Sequence, residues 1–428
     1  MTQSTKRKST KSTTAKTKPV AAETPLVEAQ SASLEGRLAT VQQATLSELT
    51  QLVVKTVPAQ GTNPELKYLV IEACSDTQQL FLQGFDLKMG MRVCLPANVV
   101  QSGKLLVPPL QFANLIEKMP KTAITLEVVP GVSQLRLLSA IAQSEIPAKP
   151  ATHYPKLPEP DSTVELYELN ARDLQRAIRA IAMCASKDES QTPHHGVQIQ
   201  LWKQSEQTCF SLCAADGHVL GLYQTTTPEQ EAPDFDCIVR ADALVKLSEL
   251  LDLNVSETVA IELEKSEQSP TSIIRFRYGE NATHHCMTVR VLEGKFSNYR
   301  NILSNLRQQV QTTVTVDQNQ LIGCLDRHLV MVTSINTRVV KFTATPTGLD
   351  TESKSANGGH CESISGQING ASLTTHLNAA NLQRVIQRLN HTEAKLHIVG
   401  EKSPLLVAAP DSSDHQPSLS FLLMPVEI

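Results

Sequence analysis

The feature that most constrains this chain is a short amphipathic helical segment that returns six times along its 428 residues. LSELTQLVVKTV (46–57), PLQFANLIEKM (109–119), ARDLQRAIRAI (171–181), ADALVKLSELL (241–251), VDQNQLIGCLDRHL (316–329) and AANLQRVIQRL (379–389) align on the apolar anchors Leu49, Phe112, Leu174, Leu244, Leu321 and Leu382. The anchors are 63, 62, 70, 77 and 61 residues apart. Apolar residues three, four and seven positions apart form one stripe of a helix, which needs a partner surface to cover it. Between the helices lie alternating stretches that read as strands: Tyr68–Ala73, Gln79–Phe85, Val197–Trp202, Thr208–Ala214, Val219–Gln224, Thr258–Leu263, Ile273–Tyr278 and His285–Val291. One short helix plus several strands, repeated six times, predicts an α+β chain of similar modules rather than a helical solenoid. A chain this long exceeds a single core and is expected to divide into two to four domains.

Two stretches break the pattern. Residues 1–32 are rich in Ser, Thr, Lys and Ala, and are expected to be a disordered basic tail. Residues 345–365, rich in Gly, Ser and Asn, read as an irregular insert, a loop or a degraded strand pair.

Charge is unevenly placed. The first 22 residues hold six bases and no acid, so a net charge of −4 leaves −10 for the remainder. A basic tail on an acidic body is the reverse of a general nucleic-acid coat. The helices are an exception to that acidity. Arg172, Arg176 and Arg179 share the face opposite the apolar stripe of 171–181, and Arg384 and Arg388 lie one turn apart in 379–389. Each alone reads as a solvated helix face; shared polarity across units points to an electropositive surface facing DNA.

Several function classes are excluded or disfavoured. No apolar run approaches the ~18 residues of a spanning helix, and no apolar stretch follows the basic start to make a secretory signal. Aromatics are 4% with one Trp, which disfavours stacking on single-stranded nucleic acid. Nine cysteines without a CxxC read as reduced thiols filling cores, with Cys209 and Cys213 on one strand face. Asp216-Gly217-His218 could be read as an acid and a base, but no nucleophile accompanies them, and a turn needing Gly at positive φ explains the triplet. His194-His195 and His284-His285-Cys286 each offer at most one ligand to a common centre, because adjacent strand residues face opposite ways. No GxxxxGK[ST] is present for nucleotide phosphates. No residue pattern here marks a metal or cofactor site, and a hydrolase or nuclease whose acids are scattered along the chain stays open; a clustered acid and histidine constellation would mark one, and none is visible.

Three stretches together resemble a known family. AADGHVLGLY (214–223) is similar to ATDGHRLA, LEGKFSNYRNIL (292–303) to DGRFPDYRRVLP, and the C-terminal FLLMPVEI (421–428) to YVVMPMRL of the bacterial DNA polymerase III beta subunit, the sliding clamp. LFLQGFDLKMGM (80–91), GKLLVPPLQFANLIEKMP (103–120), YPKLPE (154–159) and ASKDES (185–190) follow in the family's order, so the resemblance spans about residues 34–428. It implies the DNA-clamp fold: three similar domains (33–159, 160–306 and 307–428), each of two βαβββ-like units, with antiparallel sheets outside and helices lining a ring of two chains. It also implies a processivity factor that encircles duplex DNA without regard to sequence and tethers the replicative polymerase. The expected partners are duplex DNA, the DNA polymerase III catalytic subunit, the clamp loader, other polymerases and repair proteins carrying a short linear motif, and a second copy of the chain. No membrane is involved, and the expected location is the cytoplasm, at the nucleoid. The alternative is a diverged clamp-like interaction scaffold with weak or no DNA loading.

Carried over residue by residue, the resemblance places a partner-peptide pocket at His194, Ala215, Gly217, His218, Leu220, Ile302, Pro404, Leu422, Leu423, Met424 and Pro425. The chain departs from the family pattern at Gln60, Asn63, Val219, Asn301 and Glu427, and His194 stands where the pocket-lining Leu is usual. Gln60 replaces an Arg that touches DNA in the family, and Val219, Asn301 and Glu427 replace bases beside the pocket.

Overall fold

The computed structural model describes residues 35–60, 63–157, 165–204, 207–228, 234–264, 272–279, 285–333, 338–356, 358–409 and 418–426. The expected tail, His284 and Glu427 lie outside these. Seven α-helices run through the described residues: α1 (Gln43–Val54), α2 (Pro109–Lys118), α3 (Ala171–Ile181), α4 (Ala241–Leu250), α5 (Tyr299–Gln308), α6 (Gln318–Met331) and α7 (Ala379–Ile386). The six repeat anchors fall on all of these but α5, and every anchor is buried.

Each repeat helix follows directly on a strand. Gly36–Gln42 leads into α1, Gly103–Val107 into α2, Glu165–Asn170 into α3, Phe235–Arg240 into α4, Thr312–Asp317 into α6 and Thr374–Asn378 into α7. At the strand–helix corners Asn170, Asp317 and Asn378 cap: the Asn170 Oδ1 accepts from the Arg172 and Asp173 amides at 3.1 Å, and the Asn378 Oδ1 from those of Ala380 and Asn381. Such caps satisfy amides that the first helical turn leaves without partners. The helices pack in pairs, α1 with α2, α3 with α4, and α6 with α7. A repeated device locks two of the pairs. The buried Gln43 at the start of α1 donates Nε2–H to the Ile116 carbonyl of α2 at 2.7 Å, and Gln318 at the start of α6 donates to the Ile386 carbonyl of α7 at 2.9 Å.

The strands form three sheets of five, nine and twelve members. Two antiparallel ladders carry a sheet from one helix pair's module to the next. Met89–Pro96, which closes the α1 unit, pairs with His285–Arg290, which closes the α4 unit. Val219–Pro228, which closes the α3 unit, pairs with Ser418–Leu423, which closes the α7 unit. Main-chain hydrogen bonds therefore join the modules, so their junctions are continuous sheet and not linkers.

Residues 345–365 are not irregular. Gly348–Ser355 and Gly358–Gly370 form a regular hairpin with eight cross-strand pairs, from Gly348 with Ser365 to Ser355 with Gly358. The inward side chains are Leu349, Thr351 and Ser353, all buried, so the period of two is present but written in hydroxyls. Those hydroxyls have a use: the buried His328 of α6 bonds Ser353 Oγ through Nδ1 and Thr351 Oγ1 through Nε2, both at 2.7 Å. The long strand Gly358–Gly370 then passes from this hairpin to pair with Thr312–Asp317.

Candidate functional site

The Asp216–Val219 turn organises the first group of expected site residues. Gly217 adopts φ +86°, which L side chains rarely adopt, and Asp216 Oδ1 accepts from the His218 amide at 2.9 Å and the Val219 amide at 2.8 Å. The chain leaving this turn meets the last strand, with Leu220 opposite Leu422 and Val219 opposite Leu423. The exposed His218 then receives the Met424 amide on its carbonyl at 2.9 Å. One side of this ladder carries an apolar cluster of Cys213, Leu220, Leu222, Ile238, Phe296, Tyr299, Leu303, Leu406 and Leu422, with Ala215 packed against it. Leu423 is buried next along the strand, where alternation turns it to the opposite sheet face. Val219 is buried too, so the position where the family carries a base here belongs to the core.

His194 reaches the same cluster from the loop after α3, its ring 5.5 Å from that of Phe296. Ile302 on α5 and Met424 beyond the last strand stay exposed, 44% and 46%, at the rim of this apolar wall. Pro404 and Pro425 are half-buried; Pro404 enters the strand whose Leu406 faces Leu422. The structure thus gathers Ala215, Leu220 and Leu422 in one cluster, joins His194 to it through Phe296, and ties His218 to Met424. It adds Leu303, Leu406, Phe296 and Tyr299, which motif matching missed. The signal for two of them was present, in the aromatic pair of KFSNY. Tyr299 is fixed by donating its OH to Gln200 Oε1 at 2.7 Å, and Arg300 stacks 3.6 Å from the Trp202 ring centroid. Burial pushes the Cys184 thiol up to about 12 and holds that of Cys213 well above its ordinary value, so these nearby thiols stay protonated and unreactive.

The arginines expected to face DNA are less free than the sequence implied. Arg172, Arg176 and Arg179 are exposed on α3, as their spacing requires. Arg176 pairs with Asp173 one turn earlier at 3.6 Å, Arg179 pairs with Asp252, and Arg172 Nη2 donates to Asn254 Oδ1 at 3.4 Å. Arg384 is half-buried, with Nη2 3.6 Å from Asp216 Oδ2, so it faces the turn described above. Arg388 is exposed just past the end of α7. Among the departures from the family, Asn63 caps a short 3-10 turn by accepting the Glu65 amide at 3.0 Å, and Gln60 and Asn301 are exposed. Among the described residues no group of three or more His, Cys, Asp or Glu could hold a metal, and no helix is long and apolar enough to cross a membrane.

Sheet-joined modules of paired helices, with an apolar cluster where the last strand meets the Asp216 turn, make an α+β chain of the sliding-clamp fold. Residues 39–158 match the model of the DNA polymerase III beta subunit, N-terminal domain. The chain is 24% identical over 394 residues to the beta sliding clamp of Synechococcus elongatus, covering 90% of this chain and 98% of that one. The solved sliding clamp of Bacillus subtilis superposes with a TM-score of 0.79 at 21% identity, covering 92% of this chain and 100% of that one. A clamp from Bartonella birtlesii, solved bound to griselimycin, gives 0.78 at 20% identity, with 92% and 100% covered. The chain is thus similar over most of its length to beta sliding clamps and shares their fold.

Proposed function

We infer that the protein is a DNA sliding clamp, a processivity factor that encircles duplex DNA and holds its polymerase there. The observation that carries this reading is the ladder rule seen twice within the chain. At each junction the closing strand of one unit pairs with the closing strand of another. Two closing strands are left over. Gln143–Pro147 ends its sheet, and Gly358–Ser365 has a neighbour on one side only among the described residues. The helices of those two units expose Leu110 of α2 and Val330 of α6, at 67% and 73%. The corresponding helices at the first internal junction are instead tied by the Lys55–Glu249 ion pair, 2.8 Å. Pairing the leftover edges between two copies, head to tail, covers both and closes a homodimer. The three-domain division at 33–159, 160–306 and 307–428 is supported by the three helix pairs.

Such a closed assembly works by topology. Leaving DNA requires opening an interface, so the attraction to phosphates can stay weak and unspecific, and the protein can slide. Chemistry is left to the tethered polymerase; the clamp's own role is non-catalytic.

The apolar cluster beside the Asp216 turn, with its exposed rim, supplies the tether. It suits a short linear segment of the polymerase or the clamp loader with one or two apolar anchors, laid against Leu220, Leu422 and His194 between the rims of Met424 and Ile302. A clamp of this fold, from Bartonella birtlesii, is solved bound to a ligand, griselimycin. The test is primer extension by the cognate polymerase and clamp loader on a long primed template. With this protein present, single-encounter product length is expected to rise by more than tenfold; unchanged length rejects the reading.

A further inference from the structure

We propose that a cavity beside the first sheet junction is a binding site for a phosphate group. The cavity, about 290 Å³, is lined by Lys88, Arg240 and Arg290 together with Glu189, Thr192, His195 and two apolar residues. Three separate elements bring the cations there: the turn before Met89–Pro96, the end of Phe235–Arg240, and the end of His285–Arg290.

Two of them, both exposed, are brought side by side by the ladder. The ladder pairs Val289 with Met89, and the Arg290 amide donates to the Lys88 carbonyl at 2.8 Å, so Lys88 and Arg290 stand opposite each other across the strands. Like charges directly opposed in an antiparallel pair are destabilising. Neither makes an ion pair with any described residue. The turn that presents Lys88 is firmly built: Asp86 Oδ1 accepts its amide at 2.8 Å, and Leu87 is held at φ 72°, a conformation that side chains as bulky as Leu rarely adopt.

Arg240 keeps its guanidinium in place through Asp242, Nε to Oδ1 at 2.9 Å and Nη2 to Oδ2 at 3.0 Å, at the start of α4. His195 commits Nδ1–H to the Ser186 carbonyl at 3.0 Å, and its buried Nε2 has no partner. Glu189 is the one acid in the lining. Lys88 and Arg290, both unpaired, and Arg240, already held by Asp242, face the single lining carboxylate of Glu189 and fit a tetrahedral oxyanion, which can accept from several donors at once. Two sources carry that group: a phosphodiester of the DNA the clamp encircles, which rests on the reading above, or a free phosphate compound, which does not.

The experiment has two arms, both in otherwise phosphate-free buffer with the full chain. In the first, inorganic phosphate is titrated calorimetrically into the wild type, into the Lys88→Ala/Arg290→Ala variant, and into Lys88→Arg/Arg290→Lys. One phosphate per chain is expected, with affinity at least tenfold weaker in the alanine pair and within about threefold in the charge-keeping pair. Melting temperatures without phosphate at or above that of the wild type establish that the variants are folded. In the second arm, a short duplex is bound across a salt series. If DNA supplies the phosphate, the alanine pair lowers the log–log salt slope by about 1 to 2. An unchanged slope with weakened phosphate binding assigns the site to a free phosphate compound. Equal behaviour of wild type and alanine pair in both arms overturns the proposal, and because the phosphate arm needs no clamp activity, that failure leaves the sliding-clamp reading standing.

Discussion

At the scale of single residues, the most telling side chain belongs to no motif. His328 is fully buried in α6, with both ring nitrogens bonded to hydroxyls of the neighbouring hairpin. Burial lowers its pKa to about 4, helped by the facing His360 and by Arg327 and opposed by Glu362. Glu362 in turn is held down at about 2 by its hydrogen bonds from Arg327. The folded chain thus keeps His328 neutral where the unfolded chain, with an ordinary histidine near 6.5, takes up a proton. The stability this gives is complete above about pH 6.5 and is lost as pH falls toward 4. Thermal melts between pH 7.5 and 4.5 are expected to show a steeper fall for the wild type than for His328→Gln, whatever the variant's stability at neutral pH. Parallel curves would remove His328 from the acid response. Sequence motifs did deliver the Asp216 turn and its partner Met424, because both lie in contiguous stretches. Leu406 belongs to the same cluster through pairing with Leu422, a contact across the sheet that spacing along the chain does not display.

Among elements, the helices were the most legible and the hairpin at 348–370 the least. An amphipathic stripe such as Leu174, Ala177, Ile178 and Ile181 shows its buried face directly. The hairpin buries Thr351 and Ser353, residues whose composition reads as loop until α6 is seen to place a histidine against them. The charge on α3 was half legible for a related reason. Its arginines are where the period puts them, but Asp252, which pairs with Arg179 and accepts from Gln175 at 2.8 Å, arrives from the segment after α4. That pair is solvent-exposed and of modest strength, so phosphate can displace it. Replacing Arg172, Arg176 and Arg179 by Ala is expected to lower the salt slope of DNA binding by up to about 0.9 per lost contact, whereas Asp252→Asn should raise affinity by freeing Arg179. Anisotropy with duplex DNA across a salt series reads both. Identical slopes for wild type and the triple variant would take α3 off the DNA-facing surface.

At the scale of the whole molecule, two internal ladders and two leftover edges make a single chain incomplete. The account expects a dimer of twice 46.8 kDa in light scattering at micromolar concentration. Pairing through Gln143–Pro147 and Gly358–Ser365 is expected to be undone by Cys361→Pro, because the register turns the Cys361 amide away from Gly348–Ser355 and the substitution removes a main-chain donor from the middle of the edge. A monomeric wild type would contradict the closure, as would a proline variant that stays dimeric. Closure is also what separates a clamp from a protein that merely adheres to DNA. The most direct measurement is retention on DNA of defined topology: the protein is loaded by its clamp loader onto a nicked circular plasmid, filtered away from free protein, and the plasmid is then cut once. The account predicts stable retention on the circle and release on linearisation, with blocked ends restoring retention. Equal retention before and after cutting would contradict it, since binding would then depend on contact and not on encirclement.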